Sequence, residues 1–315
     1  FGDDNVVSVD ENGENTSDVD ICGDENNVMV MQSGASSSTI SIAGVPLIGG
    51  NNNSVSVTQS VSSSVSDVNI VGLDNIVTVD QTSFFIESES TVDIDIGNRN
   101  EVDVVQNGGN TASVSIDGAS AILGGVVTGN GDDNSVTIDQ DRQNTATVGI
   151  TGDDNDVSVT QSGFNSTDVQ LNGGAPGSVE SENNLLVIDQ SGGLGGQNTI
   201  TVSLWGDDNN RATAGNNGDG TFSGDAATVA ALDGRLAPGT LTQSGSDNSI
   251  LLNVGTSGTE ADDNLFSFLQ DGNGNSITGT ITSGFGNEVA VMQVGNGSST
   301  TFTQNGNFNN LGVSQ

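Results

Sequence analysis

The stretch "GDDNSVTIDQDRQNTATVGITGDDNDVSVTQSGFNSTDVQLNGG", residues 131–174, says nearly the same thing twice. Gly-Asp-Asp-Asn is followed by alternating Val or Ile, a Gln, an Asn and alternation again, and the pattern then restarts. Gly131, Gly152 and Gly173 are 21 residues apart, as are Gly2 and Gly23, so an internal repeat is the first thing to test. Working outward, the first half of the repeat reads Asn-x-aliphatic-x-aliphatic-x-Gln. It recurs as Asn26 to Gln32, Asn53 to Gln59, Asn75 to Gln81, Asn100 to Gln106, Asn134 to Gln140, Asn155 to Gln161, Asn184 to Gln190, Asn264 to Gln270 and Asn287 to Gln293. A second half follows, as in Asn110-Ala112-Val114-Ile116, Asn144-Ala146-Val148-Ile150, Asn165-Thr167-Val169-Leu171 and Asn198-Ile200-Val202-Leu204.

Strict period-two alternation makes each half a strand, with Asn, both aliphatics and Gln on one face and Ser, Thr or Asp on the other. One repeat buries about four aliphatics, roughly 6 to 12 kcal/mol. Ordering about twenty residues costs about 1 to 2 kcal/mol each, so a lone repeat does not fold. Stacked repeats do, as parallel ladders on two facing sheets. The expected fold is all-β: a two-sheet parallel β-solenoid of about 12.5 coils with 21–22 residues per repeat, forming one domain over 1–315. The inward Asn and Gln then have a role, because buried amides stacked at about 4.8 Å satisfy one another. They are the expected stacking ladders.

Composition agrees with a thin aliphatic core, since 315 residues include 45 Gly, 10 Phe, one Trp and no Tyr. Acidity with few aromatics is also the signature of disorder, but disorder does not produce this register. With 41 acidic residues against 4 Arg (Arg99, Arg142, Arg211, Arg235), the net charge of -37 repels nucleic acid and anionic lipid. No apolar run reaches the length of a membrane span, and the opening at Phe1 without an apolar leader reads as a mature, secreted form. Cys22 is the single cysteine and there is no His, which excludes Cys/His zinc sites and His-dependent triads. No catalytic residue is assigned, and the chain is not expected to be an enzyme.

The repeat is interrupted by expected turn insertions at 33–50, 82–89, 118–130 and 173–183, and by an irregular insertion over about 207–240. There Asn209-Arg211-Thr213 reads as a degraded strand, and "GDAATVAALDG", residues 224–234, as a short helix with Asp225 as N-cap and Gly234 as stop. The segment reads either as a lateral contact or as a lid over exposed core.

The strings "VTQSGFNST" at 159–167 and "VVQNGGNTA" at 104–112 resemble the curlin repeat of bacterial curli fibres, and the resemblance covers the chain outside roughly 207–240. It implies a secreted subunit of an amyloid-like extracellular fibre in a biofilm matrix, with roles in adhesion, exported through an outer-membrane pore and started by a nucleator. It also implies that matching amides, among them Asn134, Gln140, Asn155, Gln161 and Gln293, act in fibre formation. Second halves here end in Ile or Leu where that family carries Gln.

The residues also bear on other functions. The paired acids Asp3/Asp4, Asp132/Asp133, Asp153/Asp154, Asp207/Asp208 and Asp262/Asp263 recur at one corner. They read either as solvated turn residues or as carboxylates for a hard cation such as Ca²⁺, with Asp132, Asp133, Asp153 and Asp154 as the ligands. No other cofactor is required. A monomeric cation-binding adhesin of the cell surface is the alternative to a fibre. Ice binding does not fit the irregular outward row Met29, Ser56, Thr78, Asp103, Thr137, Ser158, Val187, and no acid pair stands apart as a glycan-cleaving site. For a fibre, the partner is the chain itself. The expected join uses Asn5, Val7, Val9 and Glu11 of the first strand with Phe302, Gln304, Leu311, Val313 and Gln315 near the end, copies rotated by about 180° so that Glu11 stacks on Gln304.

Overall fold

The computed structural model describes residues 2–43, 50–61, 63–83, 86–94, 97–116, 121–123, 126–128, 131–171, 181–192, 195–215, 218–256 and 259–315. The chain forms two compact units, one built on Phe1–Asp154 and one on Asn155–Gly173 with Gly177–Gln315. Both are β-solenoids of parallel strands.

In the first unit the Asn-to-Gln strands Val6–Gly13, Asn27–Gly34, Ser54–Val61, Ile76–Ser83, Glu101–Asn107 and Ser135–Arg142 stack in that order. Their register is that of the repeat: Val28 pairs with Val55, Val55 with Val77, Val77 with Val102 and Val102 with Val136. A slip by one residue would turn every valine outward, so one buried face fixes the register. Facing this sheet lie Thr16–Cys22, Ser37–Ala43, Ser64–Ile70, Ser88–Thr91 and Thr111–Ser113. The core is the seam between them, where Val28, Val30, Val57, Ile40, Ile42, Val68 and Ile70 are buried.

The second unit repeats the plan with Asp156–Gly163, Leu185–Gly192, Thr240–Ser246, Leu265–Asn273, Glu288–Val294 and Asn310–Ser314 in one sheet. Opposite run the short strands Asn165–Ser166, Asn198–Thr199, Ser249–Ile250, Ser276–Thr278 and Ser299–Thr301. Its core is bulkier: Phe268 stacks on Phe266 at 6.3 Å and meets Phe302 edge-on at 5.7 Å.

The solenoid has about 11 turns, fewer than the 12.5 expected. Asn209 and the Gln243 strand, far apart in sequence, belong to one coil. Asn209 lies in register between Asn184 and Asn264, and Gln243 between Gln190 and Gln270. The chain leaves the coil after Asn210 and re-enters at Gly239. In the gap, the Asn210 amide replaces a strand: its Nδ2 donates to the Leu185 carbonyl at 3.0 Å and its Oδ1 accepts from the Phe266 N–H at 2.9 Å. The expected degraded strand through Arg211 and Thr213 is therefore absent, because side-chain hydrogen bonds satisfy the neighbouring backbones instead.

The excursion holds the helix Gly224–Ala230. Its N-cap is Ser223, not Asp225, which sits in the first turn, and its C-cap is Ala231, not Gly234. Ser223 wins the cap because its N–H and hydroxyl are both fixed on the buried Glu288 carboxylate. The helix covers the outer face of the last strands, where Ala226, Val229 and Leu236 pack on Leu269 and Ala290. It closes the side of the sheet, not an exposed core end. Of the expected turn insertions, residues 37–43 form an ordinary inward-facing strand instead, and 121–123 with 126–128 form an antiparallel hairpin. Positions 44–49, 84–85, 117–120 and 172–180 lie outside the described residues. No described helix is long and apolar enough to cross a membrane.

Candidate functional site: the amide ladders and acidic turns

All eighteen Asn and Gln positions read from the repeat are buried. In the first unit Asn26 Nδ2 donates to Asn5 Oδ1, Asn53 to Asn26, Asn75 to Asn53, Asn100 to Asn75 and Asn134 to Asn100, at 3.0–3.1 Å. The second N–H of Asn53, Asn75 and Asn134 reaches the carbonyls of Gly72, Gly97 and Gly152 at 2.8–2.9 Å. The Oδ1 of Asn26, Asn53, Asn75 and Asn100 also accepts the backbone N–H of the following ladder Asn. These buried amides are therefore satisfied in full, which alone makes their burial tolerable. The second unit continues the rule through Asn155, Asn184, Asn209, Asn264, Asn287 and Asn309.

The glutamines run the other way. Gln59 Nε2 donates to Gln81 Oε1, Gln81 to Gln106 and Gln106 to Gln140, at 2.8–3.0 Å. Gln161, Gln190, Gln243, Gln270 and Gln293 repeat this in the second unit at 2.7–2.9 Å. Their other N–H crosses the core to the facing strand, as from Gln59 to Ser37 O and from Gln243 to Thr199 O. The Gln ladder thus stacks coils and ties the two sheets together. In the bonds between ladder side chains, Asn donors point toward the earlier coil and Gln donors toward the later one.

A third ladder was missed as a set, although its Asn residues were visible at the start of second halves: Asn144 donates to Asn110, and Asn198, Asn248 and Asn275 stack on Asn165. Gln243 was missed too, because the Asn expected six residues before it lies across the excursion at 209.

The acidic corner is a stacking device of its own. Asp153 Oδ1 accepts the N–H groups of Gly131 and Asp132 from the previous coil at 2.7 and 2.8 Å. Asp132 Oδ1 accepts both Asn98 N–H and Nδ2, and Asp262 accepts from Asp207 N. The next residue is left-handed in coil after coil, with φ of 59° at Asp4, 57° at Asn52, 58° at Asp133, 58° at Asp154 and 55° at Asp263; Asp and Asn tolerate that region best among residues with a side chain. The preceding glycine is imposed by stacking, since a Cβ on Gly72 would lie 1.7 Å from the Gly97 carbonyl oxygen.

Of the four carboxylates read as cation ligands, Asp132 and Asp153 are thus engaged with backbone, and Asp133 is forked by Arg99 at 2.6 and 2.7 Å. That contact holds the Asp133 carboxyl below the usual range. Among the described residues no group of three or more acids is arranged to hold a metal ion. In the second unit, burial pushes Asp207 up to about 6, helped by Asp262, Glu260 and Asp208 and opposed by the Glu182 N–H.

The expected interface residues belong to the first strand of the first unit and to the last coil of the second. Glu11 is in register with Gln32, Leu311 and Val313 with Val289 and Val291, and Gln315 accepts from Gln293 at 3.4 Å. Gln304 is buried and donates to the Glu288 carbonyl at 3.2 Å, while Phe302 fills the core.

No curated protein matches the chain. Residues 131–163 match the family model of the curlin associated repeat. The matched span holds Asn134, Gln140, Asn144, Asn155 and Gln161, members of all three ladders, and over these residues the chain is similar to the curlin associated repeat.

Proposed function

We propose that the chain is the structural subunit of a curli-like extracellular fibre, with copies adding head to tail by strand stacking in a biofilm matrix or adhesive layer. One observation carries the reading: each ladder amide is completed by the same residue type in the adjacent coil, in the same register. A coil therefore presents a surface that an identical coil completes. Opposite donor directions at the Asn and Gln corners add a sense, because a reversed copy sets donors against donors at one corner and acceptors against acceptors at the other.

In this reading the amides act in assembly, not catalysis, and no cofactor is needed. A nucleator and a secretion pore are the expected partners. Negative-stain microscopy of the purified chain tests it: unbranched filaments are expected, whereas monodisperse rods at all concentrations fit the monomeric adhesin instead.

A further inference from the structure

In a chain of net charge -37, one outer face of the second unit carries no charge from Asn198 onward, beyond Asp168 in its first coil. The four successive half-coils 198–206, 248–256, 275–283 and 298–306 contain no Asp, Glu or Arg. Their registered strands align Thr199, Ser249, Ser276 and Ser299 in one outward row. Thr201, Leu251, Thr278 and Thr301 form the next, alternating with buried Ile200, Ile250, Ile277 and Thr300. Leu251 is 38% exposed at its centre. The opposite outer face is different in kind: the helix Gly224–Ala230 covers its last strands over Leu269 and Ala290. One edge is lined by the acidic turns of Asp207, Asp208, Glu260, Asp262 and Asp263.

We propose that this uncharged hydroxyl face is where a second copy packs side by side, so that filaments associate in pairs; the inference rests on the fibre reading above. Copies approaching by a carboxylate-bearing side repel one another, which leaves this face. Hydroxyls both donate and accept, so the face complements itself across a twofold axis, as a row of carboxylates does not. With the helix covering the last strands of the opposite side and acids lining the turn edge, the contact is isologous and stops at two. Four strands at about 4.8 Å spacing and three outward residues each give roughly 300 Å² per copy. That is well below the roughly 800 Å² per partner of a stable interface, so single copies stay apart and repetition along a filament supplies the avidity.

The test is cryo-electron microscopy of filaments from the wild-type chain, from the double variant Thr278→Asp/Thr301→Asp and from Ser158→Asp on the other sheet's outer face. Paired filaments are expected for the wild type and Ser158→Asp, and single filaments of unchanged helical rise for the double variant. Wild-type filaments that stay single in 0.15 M salt, or a double variant that pairs as readily, overturn the inference and leave the fibre reading standing. A wild-type chain that forms no filament overturns the fibre reading, and this inference with it.

Discussion

Replacing Gln243 by Ala probes the Gln ladder where it is most interdependent. In the native coil Gln243 Oε1 accepts from Gln190 at 2.8 Å, and its Nε2 donates to Gln270 at 2.8 Å and to the Thr199 carbonyl at 3.0 Å. The substitution leaves one N–H of Gln190 without its acceptor, the other staying on the Ser166 carbonyl, and removes the amide donor from Gln270 Oε1 and from the Thr199 carbonyl, all in a buried seam. Each orphaned group costs about 1 kcal/mol or more, so the loss is on the order of 3 kcal/mol before any cavity term. Ser244→Ala, one residue on and facing outward, stays within about 0.5 kcal/mol. Urea unfolding followed by circular dichroism reads both as midpoint shifts at constant slope. Equal shifts for the two variants, or none for Gln243→Ala, would refute the claim that the ladder holds the coils.

Three further outcomes are expected. Gly72→Ala places a methyl 1.7 Å from the Gly97 carbonyl oxygen and abolishes stacking at that corner, whereas Gly234→Ala meets nothing within 4 Å and leaves the melting temperature unchanged; similar melting of the two contradicts the glycine argument. Because Asp207 is raised from 3.8 to about 6 by folding, its protonated form is favoured in the native state. Its contribution is complete below the unfolded value and is lost as pH rises through about 6, so melting temperature should rise from pH 7 to pH 5 and rise less in Asp207→Asn. Like-charged turns stack along any fibre, and 1 M salt shortens the screening length to about 3 Å, so assembly lag times in thioflavin fluorescence should fall with salt; lag times indifferent to salt contradict it.

The alternation of Asn, Val, Val and Gln made the strands, their inward faces and the ladder partners legible, because period two and a buried face leave one register. What escaped the sequence was non-local. Asn209 and Gln243 share a coil across thirty-odd intervening residues, and only the stacked neighbours Asn184, Asn264, Gln190 and Gln270 reveal it. The helix cap went to Ser223 because Glu288, 65 residues away, supplies its partner. The acidic turns were visible as a repeat, but their use depends on which N–H lies above each carboxylate, and that is a property of the stack.

The central claim, that identical coils complete one another between copies as they do within one, is tested most directly by diffraction from aligned filaments of the purified chain. The account predicts a strong meridional reflection at about 4.8 Å, with strands perpendicular to the filament axis. Filaments whose strands run along the axis, or protein that remains monomeric at concentrations where it is fully folded, would contradict it.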